Sequence, residues 1–388
     1  MSVPFGNYQY EIYLAGMADQ VPELPMSWAE WEAAAHDVLE PGPRGYLFGG
    51  AGTEDSMRAN LEAFRRWRIV PRMLRDVAER DLATEILGTP MPAPVLLGPV
   101  GVQSILHPEG ELASARAAAS QGVPMVASTA GSHTLEQIAE AAGDAARWYQ
   151  LYWPRGEELA ASFVARAEAA GYGALVVTLD TALLGWRPRD LIGGYLPFLK
   201  SVGIANYLAD PVFRSTLERT PEEDPQAAVG QFVGVFSNPA VTWDDLAWLR
   251  EQTSLPIVLK GILHPDDARE AAARGVDGVI VSNHGGRQVD GAIAPLDALP
   301  AVVEAVGDQL TVLMDSGIRS GADGFKALAL GAQAVLLARP AMWGLAVAGE
   351  EGVRTVLRSF LAELDLTLAL SGHTSLATVG PETLQLTS

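Results

Sequence analysis

From Pro94 onward the chain repeats one pattern: a short apolar run, then a longer stretch whose apolar positions recur at helical spacing. Continuous apolar runs are typical of strands buried on both faces, and the stretches between them predict crossover helices. Eight runs stand out: VLLGPVG (95–101), PMVAST (124–129), RWYQLYW (147–153), ALVVTLD (174–180), LPIVLKG (255–261), GVIVSN (278–283), TVLMDSG (311–317) and AVLLARP (334–340). Eight such units predict an α/β fold of the (β/α)8 TIM-barrel type. An open doubly wound sheet is the alternative, but no run leads into the G-x-G-x-x-G turn of a dinucleotide fold.

Residues 1–94 lack this alternation and read as a partly helical N-terminal extension ahead of a barrel over 95–388. Ser27 to Leu39 has helical spacing, with Ser27 as N-cap and Glu30 three residues on, a capping box. The glycines and prolines of PGPRGYLFGGAGTED (41–55) predict a break in regular structure around Tyr46. A helix resumes over Asn60–Trp67, and Arg68–Pro94 reads as extended segments. One interval inside the barrel is too long for an ordinary connection. Residues 181–241, rich in proline, glycine and aromatics, predict an ordered lid after the fourth strand, with ERTPEEDPQ (218–226) as a mobile tip. Beyond Ala341 helical periodicity continues to Leu370.

Composition narrows the function classes. Hydrophobic residues make up 48% of the chain and charged ones 19%, which suits a globular protein with a large core. The net charge of −20 argues against a nucleic-acid partner, which would demand a basic surface. With no cysteine, disulfides, thiolate metal sites and a cysteine nucleophile are excluded. The start MSVPFGNYQYEIYLAG lacks the pattern of a signal peptide, and nowhere do about 18 apolar residues run together, so no membrane segment and a cytoplasmic location are expected.

In a barrel of this type chemistry sits at the C-terminal ends of the strands. The polar residues predicted there are Ser128, Gln150, Tyr152, Thr178, Asp180, Lys260, Ser282, His284 and Arg287, with Arg187 in the GWRPRD that follows the fourth strand. The first strand adds the backbone of Pro99, Val100 and Gly101. His284 can take up a proton near neutral pH, and Arg287 offers a planar fork suited to a carboxylate. The last two strands end in SGIRSG and ARP, where helix N-termini, Arg319 and Arg339 converge at the usual phosphate position of a barrel. The set suggests a phosphorylated cofactor beneath a small carboxylate. No metal constellation competes, because His36, His107, His133, His264 and His373 are not in ligand-like pairs.

These residues resemble, over nearly the whole chain, the FMN-dependent α-hydroxy-acid oxidase and dehydrogenase family. The matching motifs are SNHGGRQ, QLY, TLDT with LGWRPRD, LKGI and DSGIRSGADGFKALALGA. Within the family the chain most resembles the lactate 2-monooxygenase group, through NYQYEIY, LPMSWAEWE, NYLADPVF in the lid and GPVGV. The resemblance implies FMN as cofactor and His284 as the base, oriented by Asp180. It implies that Arg187 and Arg287 clamp the substrate carboxylate and that Tyr46 and Tyr152 bind its oxygens. Lys260 would face the pyrimidine end of the flavin. Ser128, Gln150, Thr178 and Ser282 would bond the ring or ribityl chain, and Asp315, Ser316, Gly317, Ile318, Arg319, Ala338 and Arg339 the ribityl and phosphate.

The implied reaction is oxidation of a short L-2-hydroxy acid, L-lactate foremost, at the expense of O2. In the monooxygenase form the 2-oxo acid is retained and decarboxylated by peroxide; the alternative is an oxidase that releases 2-oxo acid and hydrogen peroxide. Gly101 bears on that choice, since family oxidases carry alanine there and a missing methyl would leave room for oxygen. Ala338 departs from the family's usual glycine. The family also implies a homo-oligomer, tetramer or octamer. An isomerase on the same barrel is a rival that the paired Arg187 and Arg287 speak against, and a non-catalytic flavin-binding barrel is one that His284 with Asp180 speaks against.

Overall fold

The computed structural model describes residues 4–387. Its barrel strands are β1 (Val95–Leu97), β2 (Met125–Ser128), β3 (Arg147–Leu151), β4 (Leu175–Thr178), β5 (Ile257–Ile262), β6 (Gly278–Val281), β7 (Thr311–Met314) and β8 (Ala334–Leu337). All pair in parallel and close into a ring, β8 against β1. Each predicted run supplies one strand. Most strands stop before their runs do, so the polar tails of the runs become the loops of the rim.

The alternation along each strand explains why the runs are apolar throughout. Leu96, Val126, Trp148, Val176, Val258, Ile280, Leu313 and Leu336 form one buried cluster. Their strand neighbours Val95, Leu97, Ala127, Tyr149, Val177, Leu259, Val279 and Leu337 belong to another, shared with the helices. Because successive side chains point to opposite faces, the first set fills the barrel and the second seats the helical ring. Ile86 and Met91, from the hairpin Thr84–Ile86 and Thr89–Met91, join the interior cluster. Thr89 there accepts a 2.9 Å bond from the Trp148 indole. The hairpin plugs the N-terminal end and leaves the opposite rim for chemistry.

The helix Trp28–Val38 has the expected capping box from Ser27 and Glu30. One expectation fails: Pro41–Phe48 is helical, not a break. Pro41 and Pro43 lie in the first turn, where backbone N–H groups have no helical partner, so proline costs little. This helix brings Tyr46 and Leu47 to the rim. The helix Asp55–Arg66 begins earlier than expected, and Trp67–Ile69 then pairs antiparallel with Leu384–Leu386, tying the extension to the end of the chain.

The segment 181–241 carries the helices Pro188–Ile192, Ala205–Ala209, Pro211–Ser215 and Pro225–Phe236. An aromatic cluster holds them down: Tyr207 meets Phe163 at 4.9 Å, Phe213 at 5.6 Å and Phe232 at 4.9 Å. The expected tip at 218–226 is a bonded turn, with Arg214 on Glu222 and Asp224 capping the last helix through Ala227 N at 3.0 Å. A Cβ on Gly203 would fall 2.1 Å from Val102, so the lid presses on the rim where only glycine fits. Among the described residues no helix is long and apolar enough to cross a membrane.

Candidate active site

A cavity opens at the C-terminal rim, where a barrel of this type carries its chemistry. Tyr46, Pro99, Val100, Gly101, Tyr152, Thr178, Lys260, His284, Arg287, the run Asp315 to Arg319, Ala338 and Arg339 all line it. Asp180, Arg187, Ser128, Gln150 and Ser282 do not line this cavity. They stand one layer back, four of them bonded directly to a lining residue and Ser128 through Gln150. Gln150 takes the Ser128 hydroxyl at 2.8 Å and donates to Thr178 Oγ1 at 2.9 Å. Ser282 Oγ accepts from Lys260 Nζ at 2.8 Å.

His284 leaves β6 with φ +58°, and Gly285 and Gly286 follow at +66° and +75°. Val102 and Ser316, two more rim residues, also have positive φ. For a β-branched valine that conformation is strained, and such strain gathers at functional sites. The turn directs the His284 Nδ1 to Asp180 Oδ1, 2.8 Å away. Asp180 fits there because residue 261 is glycine: a Cβ would fall 2.9 Å from the Asp180 Cβ. Burial drives the His284 pKa below its ordinary value, although Asp180 pulls it up. Burial works the other way on Asp180, but the hydrogen bond from His284 and the charges of Lys260 and Arg187 outweigh it, and its pKa lies below the ordinary carboxyl value. A neutral imidazole backed by a carboxylate is ready to accept a proton at its free nitrogen.

Two guanidiniums stand beside this pair. Arg287 Nη1 donates to the carbonyls of Tyr46 at 2.6 Å and Gly49 at 2.8 Å, its ring-facing side lies 4.7 Å from the Tyr46 centroid, and its Nη2 is buried without a protein partner. Arg187 is buried, and its pKa is pushed down to about 10, first by burial and then by Arg287. Two like charges side by side with donors to spare form a site for an anion. Burial raises the Tyr152 hydroxyl pKa far above its ordinary value, so it stays a hydrogen-bond donor.

On the other side, Lys260 is buried against Asp315 Oδ2 at 3.1 Å. Burial disfavours its charge, but Asp315 and Asp180 more than compensate, and it stays an ammonium. Arg319 and Arg339 do converge. Burial holds both below the usual arginine range, Arg339 well below, with Arg319 and Arg287 adding repulsion there. Arg339 bonds only the carbonyls of Leu47, Gly285 and Gly49 and the Met57 sulfur, while Arg319 lies 5.2 Å from the Trp343 ring. Ala338 has φ −119°, so its methyl needs no left-handed backbone. For Gly101 the structure gives a packing reason: a Cβ would come 2.8 Å from the Ala130 oxygen and 2.9 Å from its Cβ. The space expected beside it is filled by Ala130.

Sequence reasoning missed the apolar part of the wall, including Leu47, Ile105, Leu106, Leu336 and Met342. Nothing in their type distinguishes them from core residues. It also passed over Gln288 and Asp290, on the same loop as His284. Asp290 caps the helix Asp55–Arg66 through Asp55 N at 2.7 Å and holds the Thr53 hydroxyl at 2.7 Å, fastening the extension to the loop.

The FMN-dependent dehydrogenase family model matches residues 35–386. The chain belongs to that family. It is 44% identical over 367 residues to an L-lactate oxidase of Lysinibacillus sphaericus, covering 94% of each chain. It is 43% identical over 346 residues to human 2-hydroxyacid oxidase 1, covering 88% of this chain and 92% of that one. A crystal structure of mandelate oxidase with (S)-4-hydroxymandelic acid superposes with TM-score 0.83 at 41% identity, covering 93% and 98%. The protein is therefore an FMN-dependent oxidoreductase of the hydroxy-acid oxidase type. Its cavity fits FMN: the unanswered cations Arg319 and Arg339 suit the phosphate, and buried Lys260 suits a ring that gains negative charge.

Proposed function

We propose that the protein oxidises a short L-2-hydroxy acid, with L-lactate as the leading substrate. The observation that carries this reading is the neutral His284, backed by Asp180, beside the spare donors of Arg187 and Arg287. Arg187 and Arg287 bind the substrate carboxylate, and Tyr46 and Tyr152 hold its oxygens. His284 Nε2 takes the hydroxyl proton, and Asp180 stabilises the imidazolium so formed. FMN, which Arg319, Arg339 and Lys260 would hold, would supply the two-electron acceptor for the Cα–H electron pair, with O2 as the final oxidant. Lys260 supplies a fixed positive charge on the cofactor's side of the cavity, which favours electron arrival.

For the fate of the product, the leading reading is a lactate 2-monooxygenase: pyruvate is retained and peroxide decarboxylates it, so that lactate and O2 give acetate, CO2 and water. The cover over the site supports retention. The last lid helix sets Phe236 on Tyr152, ring centroids 5.4 Å apart. The second reading, an oxidase that releases pyruvate and peroxide, draws on relatives named L-lactate oxidase. Weighing acetate against peroxide at full turnover separates the two. Stoichiometric acetate is expected, and stoichiometric peroxide leaves the oxidase. Anaerobic bleaching of the yellow protein by L-lactate tests the reading common to both.

A further inference from the structure

Gln288 follows Arg287 on the loop after β6, and its carboxamide uses every bond it can make. Its Oε1 accepts from Arg187 Nη2 at 2.8 Å and from Gly185 N at 3.2 Å. Its Nε2 donates to the Leu183 carbonyl at 2.8 Å and to the Asp180 carbonyl. All four partners belong to the segment that leaves β4. One side chain therefore staples the backbone of the carboxylate behind His284 to the guanidinium of Arg187.

The neighbouring backbone works in the same direction. The Arg287 carbonyl accepts from Arg187 Nε at 3.0 Å, and residue 185 can lie so close only as glycine, since a Cβ would fall 2.5 Å from that carbonyl oxygen. Arg187 is thus gripped from one side by two acceptors, and its Nη1 has no protein partner among the described residues. Neither acceptor is charged. A carboxylate at 288 would hold Arg187 more strongly, but it would spend the positive charge inside the protein. It could not donate to the carbonyls of residues 180 and 183 either.

We propose that Gln288 is a positioning residue that aims Arg187 at the substrate carboxylate and fixes it relative to Asp180, and that its neutrality is what keeps Arg187 available to an anion. The inference rests on the reading that Arg187 binds the substrate carboxylate, and it adds a specificity element to that site.

The test compares Gln288→Glu, Gln288→Met and Arg187→Lys in the FMN-loaded protein. KM and kcat for L-lactate are measured, along with oxalate affinity, read from its effect on flavin absorbance. Gln288→Glu should keep its FMN, raise KM by about tenfold or more and weaken oxalate in parallel, with a smaller change in kcat. Gln288→Met, which removes the bonds without adding charge, should raise KM less. Equal KM for the Glu and Met variants overturns the neutrality argument. Wild-type KM and oxalate affinity in both, beside a defective Arg187→Lys, overturn the role of Gln288 alone. A normal KM in Arg187→Lys removes the carboxylate clamp itself and this inference with it.

Discussion

At one end of the cavity His284 leans on a carboxylate, Arg187 on a neutral amide and Arg287 on two carbonyls; at the other, Arg319 and Arg339 meet carbonyls, a sulfur and a tryptophan face. The first end is built for orientation. Each polar group there is gripped from behind, because moving a proton needs a hydrogen bond of defined length and direction. The second end is built for charge. The guanidiniums of Arg319 and Arg339 have no carboxylate in contact, and burial holds their pKa values below the ordinary arginine range. The contrast separates two kinds of failure: damage at the first end costs rate with the cofactor in place, and damage at the second costs the cofactor.

The largest expected effect is at the first end. His284→Gln should stay yellow and lose about 10²- to 10⁴-fold in the rate of anaerobic reduction by L-lactate. Stopped-flow absorbance reads it, and bleaching at the normal rate removes the base from His284. At the second end Arg319→Gln should raise the FMN dissociation constant about tenfold to a hundredfold, measured by fluorescence on dilution. Arg319 is the cleaner choice, since replacing Arg339 would also strand the carbonyls of residues 47, 49 and 285. If Arg319→Gln slows reduction while holding its flavin normally, the division between the two ends is wrong.

A smaller effect sharpens the first end. His284 must be neutral to act, so reduction should fail as pH drops through its pKa. Asp180 is the group that pulls that pKa up against burial. In Asp180→Asn the upward pull is gone and the histidine pKa falls. The acid limb of the rate profile should therefore move to lower pH, on a reduced plateau because the imidazolium is less stabilised. A limb that moves to higher pH, or stays in place, would separate the carboxylate from the titration.

The same division explains what the sequence discloses. The strands were legible because a buried parallel strand must be apolar on both faces, and eight such runs without a dinucleotide turn favour a ring over an open sheet. Charged and titratable rim residues were legible because an acidic protein places arginine, lysine and histidine at strand ends for a reason. The helix Pro41–Phe48 was not, since proline reads as a breaker unless its place in the first turn is known. Gln288 was not, because a neutral amide shows its use only through the four partners that the fold brings to it. Leu47 and Met342 look the same in a wall as in a core.

Gly101 carries the smallest expected effect and the finest distinction. Sequence reading made it a space for oxygen, but the position its methyl would take lies against Ala130. Gly101→Ala must push the loop after β2 or its own loop by a few tenths of an ångström, at a cost of about 1–3 kcal/mol. The urea midpoint should fall while FMN stays bound. Any rise in peroxide relative to acetate then comes from a displaced rim and looser retention of the 2-oxo acid, not from a filled oxygen pocket. A compensating Ala130→Gly bears on these causes, because it removes the 2.9 Å side-chain contact, leaves the 2.8 Å approach to the carbonyl oxygen, and keeps the new methyl. Restored acetate in the double variant assigns the effect to packing against the Ala130 side chain, and continued peroxide assigns it to the methyl together with its approach to the residue 130 carbonyl.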